Sequence, residues 1–346
     1  MSEGLRIRVI IPAHNAAWCI QACLSGLFSA GFERDEITVV DDSSTDATAA
    51  LARQTGVTVV LQPSQLGAAA ARNRGARDAE ADILFFVDAD VVVHSDVRER
   101  LLDFFRLQPG IDAVFGAYDD RPSCPSLTSK YRNLLHHYVH CQGPDRPGSF
   151  WTGCGAVLRT AFERLEGFDE RQRMMEDVEF GMRLKQAGGV VALYSRLQGK
   201  HLKSWSVLGM ARADLFDRAI PWSRLMLFGP GLSKELNMNR EHRLSAVLTV
   251  LIGFGVACAP FAPAGLALTA ASSAAFLAVN RDFFLLVRRC AGRRAALAAI
   301  PLHVLHYACA VAGLGWVFAI EYLPRRALSA VMPTHVRSRK LPGVRR

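Results

Sequence analysis

Three pairs of acidic residues are the first candidates for chemistry, because each stands where a predicted strand ends or a predicted helix begins. They are Asp41 and Asp42 in VDDSSTDATA, Asp88 and Asp90 in ILFFVDADVVV, and Glu176 and Asp177 in MMEDVEFGMRL. In open α/β sheets, ligands bind at the carboxyl ends of the strands, which places the first two pairs at a binding edge. The nearby Asp46 has an alternative role as a simple helix cap.

The second pair has the spacing of a metal site. Asp88 and Asp90 are one residue apart on an extended segment, so their carboxylates point the same way. Together they can bind one divalent cation, directly or through water. Such a cation can clamp a diphosphate and neutralise a leaving group. The third pair lies at a helix N-terminus, where the helix dipole favours an ionised carboxylate, and it could serve catalysis or only cap the helix.

The elements that must position these acids alternate regularly over the first two hundred residues. Apolar, β-rich runs such as RIRVII, EITVV, VTVVL and ILFFV are each followed by a segment with helical spacing. Strand–helix repetition of this kind predicts a mostly parallel, Rossmann-like sheet covered by helices on both faces. We therefore predict an α/β domain over residues 1–203.

The character of the sequence changes after this domain. Residues 204–243 mix Trp, Leu, Met and Phe with charged residues at helical spacing, which predicts amphipathic helices in a membrane interface or helices packed on the domain. Residues 244–280 and 295–320 contain no Asp, Glu, Lys or Arg. We predict a membrane domain over 244–346, because such runs are long enough to span a bilayer. Its expected spans are 244–259, 264–280 and 298–320, followed by a basic tail.

The net charge of +9 does not indicate a nucleic-acid partner. Residues 281–294 carry five Arg and one Asp, and residues 321–346 carry seven Lys or Arg and one Glu. This charge flanks the apolar runs, where it would meet anionic membrane lipids. Three spans would place the basic tail outside, against the positive-inside tendency, so the number and parity of spans stay open.

The amino terminus indicates the compartment. MSEGLRIRVIIPAHN lacks the pattern of a signal peptide. We therefore expect the α/β domain to face the cytoplasm, on a multi-pass protein of the inner (cytoplasmic) membrane. The eight scattered cysteines are then expected to be reduced thiols.

Six motifs follow one another in a fixed order over residues 6–203. They are IIPAHN, VDDSSTD, QLGAAAARNRG, DAD, TGCGAVLRTAFERLEGFDE and MMEDVEFGMRL. In that order and spacing they closely resemble the family 2 glycosyltransferases, which have the GT-A fold. The apolar carboxy-terminal region resembles that of membrane-anchored bacterial members.

The resemblance implies which residues would bind a nucleotide-sugar donor, and these are Pro12, His14, Asn15, Asp42, Gly67, Arg72 and Asp88. Within this set, Asp42 resembles the carboxylate that accepts a hydrogen bond from the base, typically uracil. Arg72 resembles the basic residue near the base and the phosphates. The implied donor is a UDP-sugar.

The resemblance also implies Mn²⁺ or Mg²⁺ as the cofactor. Asp88 and Asp90 match the family's metal motif, with Asp90 as the direct ligand. His201, in GKHLKSW, lies where some members place a third metal ligand. An imidazole can join two carboxylates around such a cation, and a purely structural role is the alternative for His201.

The implied catalytic residues are Asp177, as the base that deprotonates an acceptor hydroxyl, and Glu176 in support. Gly153, Cys154 and Gly155 mark the acceptor region. A general base fits an inverting displacement, in which the acceptor attacks opposite the departing diphosphate. The expected activity is transfer of a sugar to a hydroxyl of a lipid-linked or membrane-proximal acceptor in envelope glycan assembly.

Two other functions stay open. The chain lacks the Q-x-x-R-W motif of processive synthases, but transfer to a polyprenyl phosphate would need no general base. The protein could also be an inactive, sugar-nucleotide-binding subunit of a membrane complex.

Histidines outside the six motifs are further candidates. His136 and His140 have a spacing that could suit zinc, but we expect them, with His137, to lie on a solvated or acceptor-facing helix. His303 and His306 lie inside an apolar run and should face protein or an acceptor headgroup.

Overall fold

A mixed sheet of eight strands organises the first two hundred residues. The computed structural model describes residues 4–228 and 240–324. The strands are β1 (Ile7–Ala13), β2 (Ile37–Asp41), β3 (Thr58–Leu61), β4 (Ile83–Val87), β5 (Val91–Val93), β6 (Ala113–Tyr118), β7 (Cys154–Leu158) and β8 (Val191–His201). Their order across the sheet is β3-β2-β1-β4-β7-β6-β8-β5.

Strand direction divides the sheet into two parts. β3, β2, β1 and β4 are parallel, and β6 is parallel to β8. Between these parts β7 runs antiparallel to both β4 and β6, and β5 runs antiparallel to β8 at the edge. The predicted α/β sheet is confirmed, with the reversal at β7 as an addition.

Helices cover both faces of this sheet. They are α1 (Ile20–Ser29), α2 (Thr48–Gln54), α3 (Ala68–Arg77), α4 (Val97–Leu107), α5 (Leu127–Cys141), α6 (Arg159–Arg164) and α7 (Glu176–Gln186). Alternating residues of β1 enter opposite cores: Val9 packs in the cluster that contains residues of α1 and α4, and Ile10 in the cluster that contains residues of α3, α6 and α7. This is the arrangement expected of strands that are buried on both faces.

Beyond the sheet, the described chain is helical. Its elements are α8 (Val207–Arg212), a π-helical segment (Ala213–Ala219), α9 (Ile220–Phe228), α10 (Arg240–Cys258), α11 (Pro263–Val279), α12 (Arg281–Val317) and a second π-helical segment (Phe318–Tyr322). The sequence predicts that Pro221 breaks the helix. Instead, the chain stays helical through Pro221, which is the second residue of α9. The π-helical segment ends at Ala219, because proline has no N–H to continue its hydrogen-bond pattern.

The helices α10 and α11 form a hairpin. Gly265 makes their close approach possible, because a Cβ at this position would lie 2.5 Å from the backbone nitrogen of Ala259. The long α12 is broken at Gly292, whose φ is 87°. Within the described residues, two helices, Arg240–Cys258 and Arg281–Tyr322, are long and apolar enough to cross a membrane, and α11 is shorter. Most of the expected basic tail lies outside the described residues.

β6 approaches β8 closely at Gly116, where a bulge shifts the register between Phe115 and Ala117. A Cβ on Gly116 would lie 1.7 Å from the carbonyl oxygen of Leu197, a backbone atom that cannot rotate away. We expect Gly116→Ala to lower the free energy of unfolding by roughly 1–3 kcal/mol, as overpacking does. Thermal unfolding followed by circular dichroism measures this.

The matched control for that substitution is Gly253→Ala, because a Cβ at this position in α10 meets nothing within 4 Å. It should leave the melting temperature unchanged or slightly raised. Equal melting of Gly116→Ala and the wild type would contradict the close approach of β6 and β8.

Candidate active site

A buried arginine joins two of the three acidic groups. Arg72, on α3, is only 4% exposed. Its guanidinium donates hydrogen bonds to Oδ1 of Asp88 at 2.8 Å and to Oε1 of Glu176 at 2.5 Å. The end of β4 and the start of α7 are far apart in the sequence, and Arg72 brings their carboxylates into one cluster.

Asp177 lies beside this cluster with a different environment. Its Oδ2 accepts hydrogen bonds from the backbone N–H of Thr152 at 3.2 Å and from the hydroxyl of Thr152 at 3.3 Å. Burial, and then the negative charge of Glu176, raise the pKa of Asp177 to about 7 against the opposing effect of Arg72. A carboxyl group that releases its proton near neutral pH is suited to act as a general base.

The residue before α7 has an unusual backbone conformation. Met175 has a φ of 66°, in the left-handed region that side-chain-bearing residues seldom adopt. Such a conformation costs on the order of 1–3 kcal/mol and occurs most often at functional sites. It turns the chain so that Glu176 and Asp177 begin the helix next to Arg72 and Thr152.

A second cluster lies where β5 pairs with β8. The Nε2 atom of His201 is 3.4 Å from Oδ2 of Asp90. The antiparallel register pairs Val91 with His201, and the N–H of Leu202 donates to the carbonyl of Asp90 at 2.8 Å. Burial tends to raise the pKa of Asp90, but the hydrogen bond and charge of His201 outweigh it and lower the pKa. Asp90 is therefore a carboxylate at neutral pH.

The donor set at this point fits a divalent cation in part. A carboxylate and an imidazole suit Mn²⁺, and Mg²⁺ accepts them less readily. Asp88 is turned towards Arg72, and within the residues that the structure describes no three His, Cys, Asp or Glu side chains are arranged around one metal position. Of the three expected metal ligands, Asp90 and His201 lie together, whereas the ion pair with Arg72 turns the carboxylate of Asp88 away from them.

Asp42 has a different environment from the one expected. Its Oδ1 accepts from Nε2 of Gln62 and from the N–H of Leu66, and its Oδ2 accepts from the N–H of Gly67, all at 2.8 Å. The carboxylate thus fixes the loop that leads into α3, where Gly67 has a φ of 97°. A carboxylate can accept about four hydrogen bonds, so Oδ2 keeps capacity for a further donor such as a base N–H.

The end of β1 and the turn after it lie against the loop that follows β2. Pro12 lies beyond the last residue pair between β1 and β4, so its missing N–H leaves no gap in the sheet there. The imidazole Nδ1 of His14 is 2.9 Å from the carbonyl oxygen of Asp42, and Oδ1 of Asn15 accepts from the N–H of Thr45 at 2.9 Å. His14 and Asn15 are exposed at the rim of the sheet.

The segment expected to mark the acceptor region packs closely around Trp151. Cys154 is fully buried in the core, so its side chain cannot contact an acceptor. A Cβ on Gly153 would lie 2.2 Å from the ring of Trp151, and one on Gly155 would lie 2.1 Å from the carbonyl of Trp151. These glycines make room for Trp151. The residue of this segment that contacts the site is Thr152, which the sequence analysis missed.

The histidines of α5 pack on the sheet, so the expected solvated face is wrong, while the acceptor-facing alternative stays a prediction. His140 is buried and its Nδ1 is 2.8 Å from the carbonyl of Gly116, while Nδ1 of His137 is 2.7 Å from the carbonyl of Tyr118. The ring of His136 lies against that of Tyr118, with 4.1 Å between centroids and 33° between planes. The backbone carbonyls of β6 thus accept hydrogen bonds from His137 and His140.

Comparison with known proteins finds a family whose model resembles part of this chain. Residues 8–165 match the model of "Glycosyl transferase family 2". Glycosyltransferase AglE of Haloferax volcanii is 36% identical over 117 residues, which cover 32% of this chain and 38% of that protein. The amylovoran biosynthesis glycosyltransferase AmsB of Erwinia amylovora is 33% identical over 124 residues, 34% of this chain and 41% of that protein. The chain thus spans about two fifths of the length of these relatives.

A solved structure extends the likeness in fold beyond the sheet. The mannosyltransferase PcManGT of Pyrobaculum calidifontis, in complex with GDP-Man and Mn²⁺, superposes with a TM-score of 0.59 at 19% identity. The superposition covers 91% of this chain and 88% of that one, so it includes carboxy-terminal helices as well as the sheet. The α/β domain of this chain is similar to glycosyl transferase family 2 over residues 8–165, and it has the GT-A fold.

Proposed function

We propose that this protein is a metal-dependent, inverting glycosyltransferase. It would move a sugar from a nucleotide-sugar to a hydroxyl group of a lipid-linked or membrane-proximal acceptor in envelope glycan assembly. The observation that carries the proposal is the position of Asp177, which lies beside the Arg72–Glu176–Asp88 cluster with a pKa raised to about 7. A transferase that uses a phosphate acceptor has no need of such a group.

The donor would lie along the carboxyl edge of the parallel strands. The free acceptor capacity of Asp42 suits a base N–H, and the exposed turn of His14 and Asn15 lies next to it. Arg72 supplies positive charge at the end of β4. The described relative binds GDP-Man, and the resemblance of the motifs favours a UDP-sugar, so both nucleotides belong in the first assay.

The cation would be held by Asp90 and His201, and it would neutralise charge on the leaving diphosphate when bound. Asp177 would take the proton from the acceptor hydroxyl as the new bond to the anomeric carbon forms. The two hydrogen bonds from Thr152 hold the Asp177 carboxylate in place for this transfer. The negative charge of Glu176 offsets the positive charge of Arg72, which would otherwise lower the pKa of Asp177.

We also propose that the carboxy-terminal helices hold the enzyme on the cytoplasmic side of the inner membrane. Large apolar side chains are exposed on α10, α11 and α12, and they include Val247, Val250, Phe254, Val256, Leu266, Leu297, Leu314 and Trp316. Exposure of such an apolar surface is unfavourable in water and favourable in the hydrocarbon of a bilayer. The arginines near the break at Gly292 would lie at the level of anionic headgroups.

The metal role is tested by Asp90→Asn, which removes the charge but keeps the size of the side chain. In the wild type, Mn²⁺ should strengthen the binding of UDP or GDP in calorimetric titrations. In the variant, this gain should be lost, while nucleotide binding without metal stays unchanged. Asp78→Asn is the matched control, because Asp78 is an exposed carboxylate that pairs only with Arg74 among the described ion pairs.

The outcome also separates an enzyme from an inactive subunit. Slow hydrolysis of UDP-glucose or GDP-mannose by the wild type, dependent on Mn²⁺ and absent in Asp90→Asn, supports the proposed activity. A wild-type response to Mn²⁺ in Asp90→Asn would remove this residue from the metal site.

A further inference from the structure

The metal-facing histidine has a buried partner on its other nitrogen. Nδ1 of His201 is 3.0 Å from Oδ1 of Asn133, on α5. Both residues are buried, with exposures of 7% and 4%. On its opposite side the same imidazole presents Nε2 to Asp90 at 3.4 Å.

This contact fixes the orientation of the ring and which of its nitrogens faces Asp90. An amide oxygen only accepts hydrogen bonds, so Nδ1 must carry the proton. The other ring nitrogen, Nε2, faces Asp90, and it is the nitrogen that would bind a cation held there. Where a histidine binds a metal, the partner of its second nitrogen fixes the tautomer and the ring orientation.

We propose that Asn133 is a positioning residue that sets the tautomer and orientation of His201 for the divalent cation. The inference rests on the metal role of His201 in the proposed function. The ring plane is fixed independently, because His201 stacks on Tyr118 with 4.3 Å between centroids and 6° between planes. The stacking on Tyr118 thus fixes the plane of the imidazole, and the contact with Asn133 fixes how the ring is turned within its plane.

Asn133 is itself held by its neighbours on α5. The hydroxyl of Tyr131 is 2.9 Å from Nδ1 of His303 on α12, and Arg132 forms an ion pair at 2.7 Å with Asp214 of the first π-helical segment. Three consecutive residues of α5 therefore bond to three different elements. The carboxy-terminal helices reach the candidate metal site through this helix, so they support the site as well as anchoring the chain.

The test compares Mn²⁺ affinity among variants of the purified full chain. Free Mn²⁺ is followed by electron paramagnetic resonance in the presence of UDP and, separately, of GDP. Asn133→Leu, which keeps the volume but removes the acceptor, should weaken Mn²⁺ binding by about 10–100-fold. Asn133→Asp, which keeps an acceptor, should retain affinity close to the wild type. Nucleotide affinity without metal should stay unchanged in both.

Two further variants make the result specific. Tyr131→Phe removes the neighbouring hydrogen bond of α5 without touching His201, so its Mn²⁺ affinity should match the wild type. His201→Phe keeps the stacking on Tyr118 but offers no nitrogen, so it should lose Mn²⁺ binding at this site. Should Asn133→Leu fail to fold, Asn133→Ser carries the same expectation.

The outcomes separate the inference from the function on which it rests. Wild-type Mn²⁺ binding in Asn133→Leu, together with loss in His201→Phe, would overturn the role of Asn133 alone. Wild-type binding in His201→Phe would overturn the metal role of His201 and the inference with it. An equal loss in Tyr131→Phe and Asn133→Leu would assign the effect to loosening of α5 and overturn the positioning role.

Discussion

Asp177→Asn is expected to lower single-turnover sugar transfer by about 10²–10⁴-fold, the usual contribution of a general base. The substitution keeps the size of the side chain and an oxygen that can accept from Thr152, but it cannot take the proton of an acceptor hydroxyl. Nucleotide affinity should stay near the wild-type value, because the change affects an interaction made in the transition state. Rapid-quench measurements, once an acceptor is found, give both quantities.

The control for this substitution is Glu179→Gln in the same first turn of α7. Glu179 pairs with Arg183 on its own helix, whereas the ion-pair partners of Arg72 are Asp88 and Glu176, so loss of Glu179 should change the rate little. Turnover of Asp177→Asn within a few-fold of the wild type would remove Asp177 as the base. That result would favour the alternative function, transfer to a polyprenyl phosphate, because the attacking oxygen of that acceptor carries no proton to remove.

The raised pKa of Asp177 adds a dependence on pH with a definite sign. The base must be ionised, so the wild-type rate should increase as the pH rises through about 7. In the residual activity of Asp177→Asn, this limb should be absent. A wild-type rate that does not change between pH 6 and pH 8 would contradict the proposed ionisation.

Stability should show the opposite trend. The pKa of Asp177 is higher in the folded protein than in the unfolded chain, so the folded state binds the proton more tightly. This contribution to stability is complete below about pH 4 and is lost as the pH rises through about 7. The melting temperature of Asp177→Asn relative to the wild type should therefore increase from pH 4 to pH 8.

The sequence predicts the positions of the strand ends better than the contacts made there. The spacing of Asp88 and Asp90 indicates that both follow β4, and the structure agrees. It cannot indicate that Arg72 takes Asp88 and Glu176 together, because that contact joins three elements distant along the chain. For the same reason, pattern alone could not assign Thr152 to Asp177.

Some errors have a local physical cause. The histidines of α5 have the polar character of a solvated face, yet their N–H groups meet the backbone carbonyls of β6. Cys154 begins a strand between β4 and β6, and residues there are buried on both faces. For Asp46, the capping alternative agrees with the structure, since its carboxylate accepts from the N–H groups of Thr48 and Ala17.

The largest expected loss of stability follows from Asp214→Leu. Asp214 and Arg132 form an ion pair whose side chains are 2% and 4% exposed, and Nδ1 of His306 lies 2.9 Å from the other carboxylate oxygen. Removal of one partner leaves a buried charge uncompensated, which costs about 3–5 kcal/mol. We expect a correspondingly large fall in the melting temperature of the full chain.

The double substitution Arg132→Met with Asp214→Leu tests the cause of that loss. Replacing both charges by apolar groups of similar volume is often neutral or stabilising, so the double variant should recover most of the melting temperature. Arg132→Met alone should cost less than Asp214→Leu, because His306 remains beside the carboxylate. Asp78→Ala, which breaks the exposed pair with Arg74, should change stability by less than about 1 kcal/mol. If Asp214→Leu has the same melting temperature as Asp78→Ala, this ion pair does not hold α5 on the carboxy-terminal helices. The claim that these helices support Asn133 would then also be contradicted.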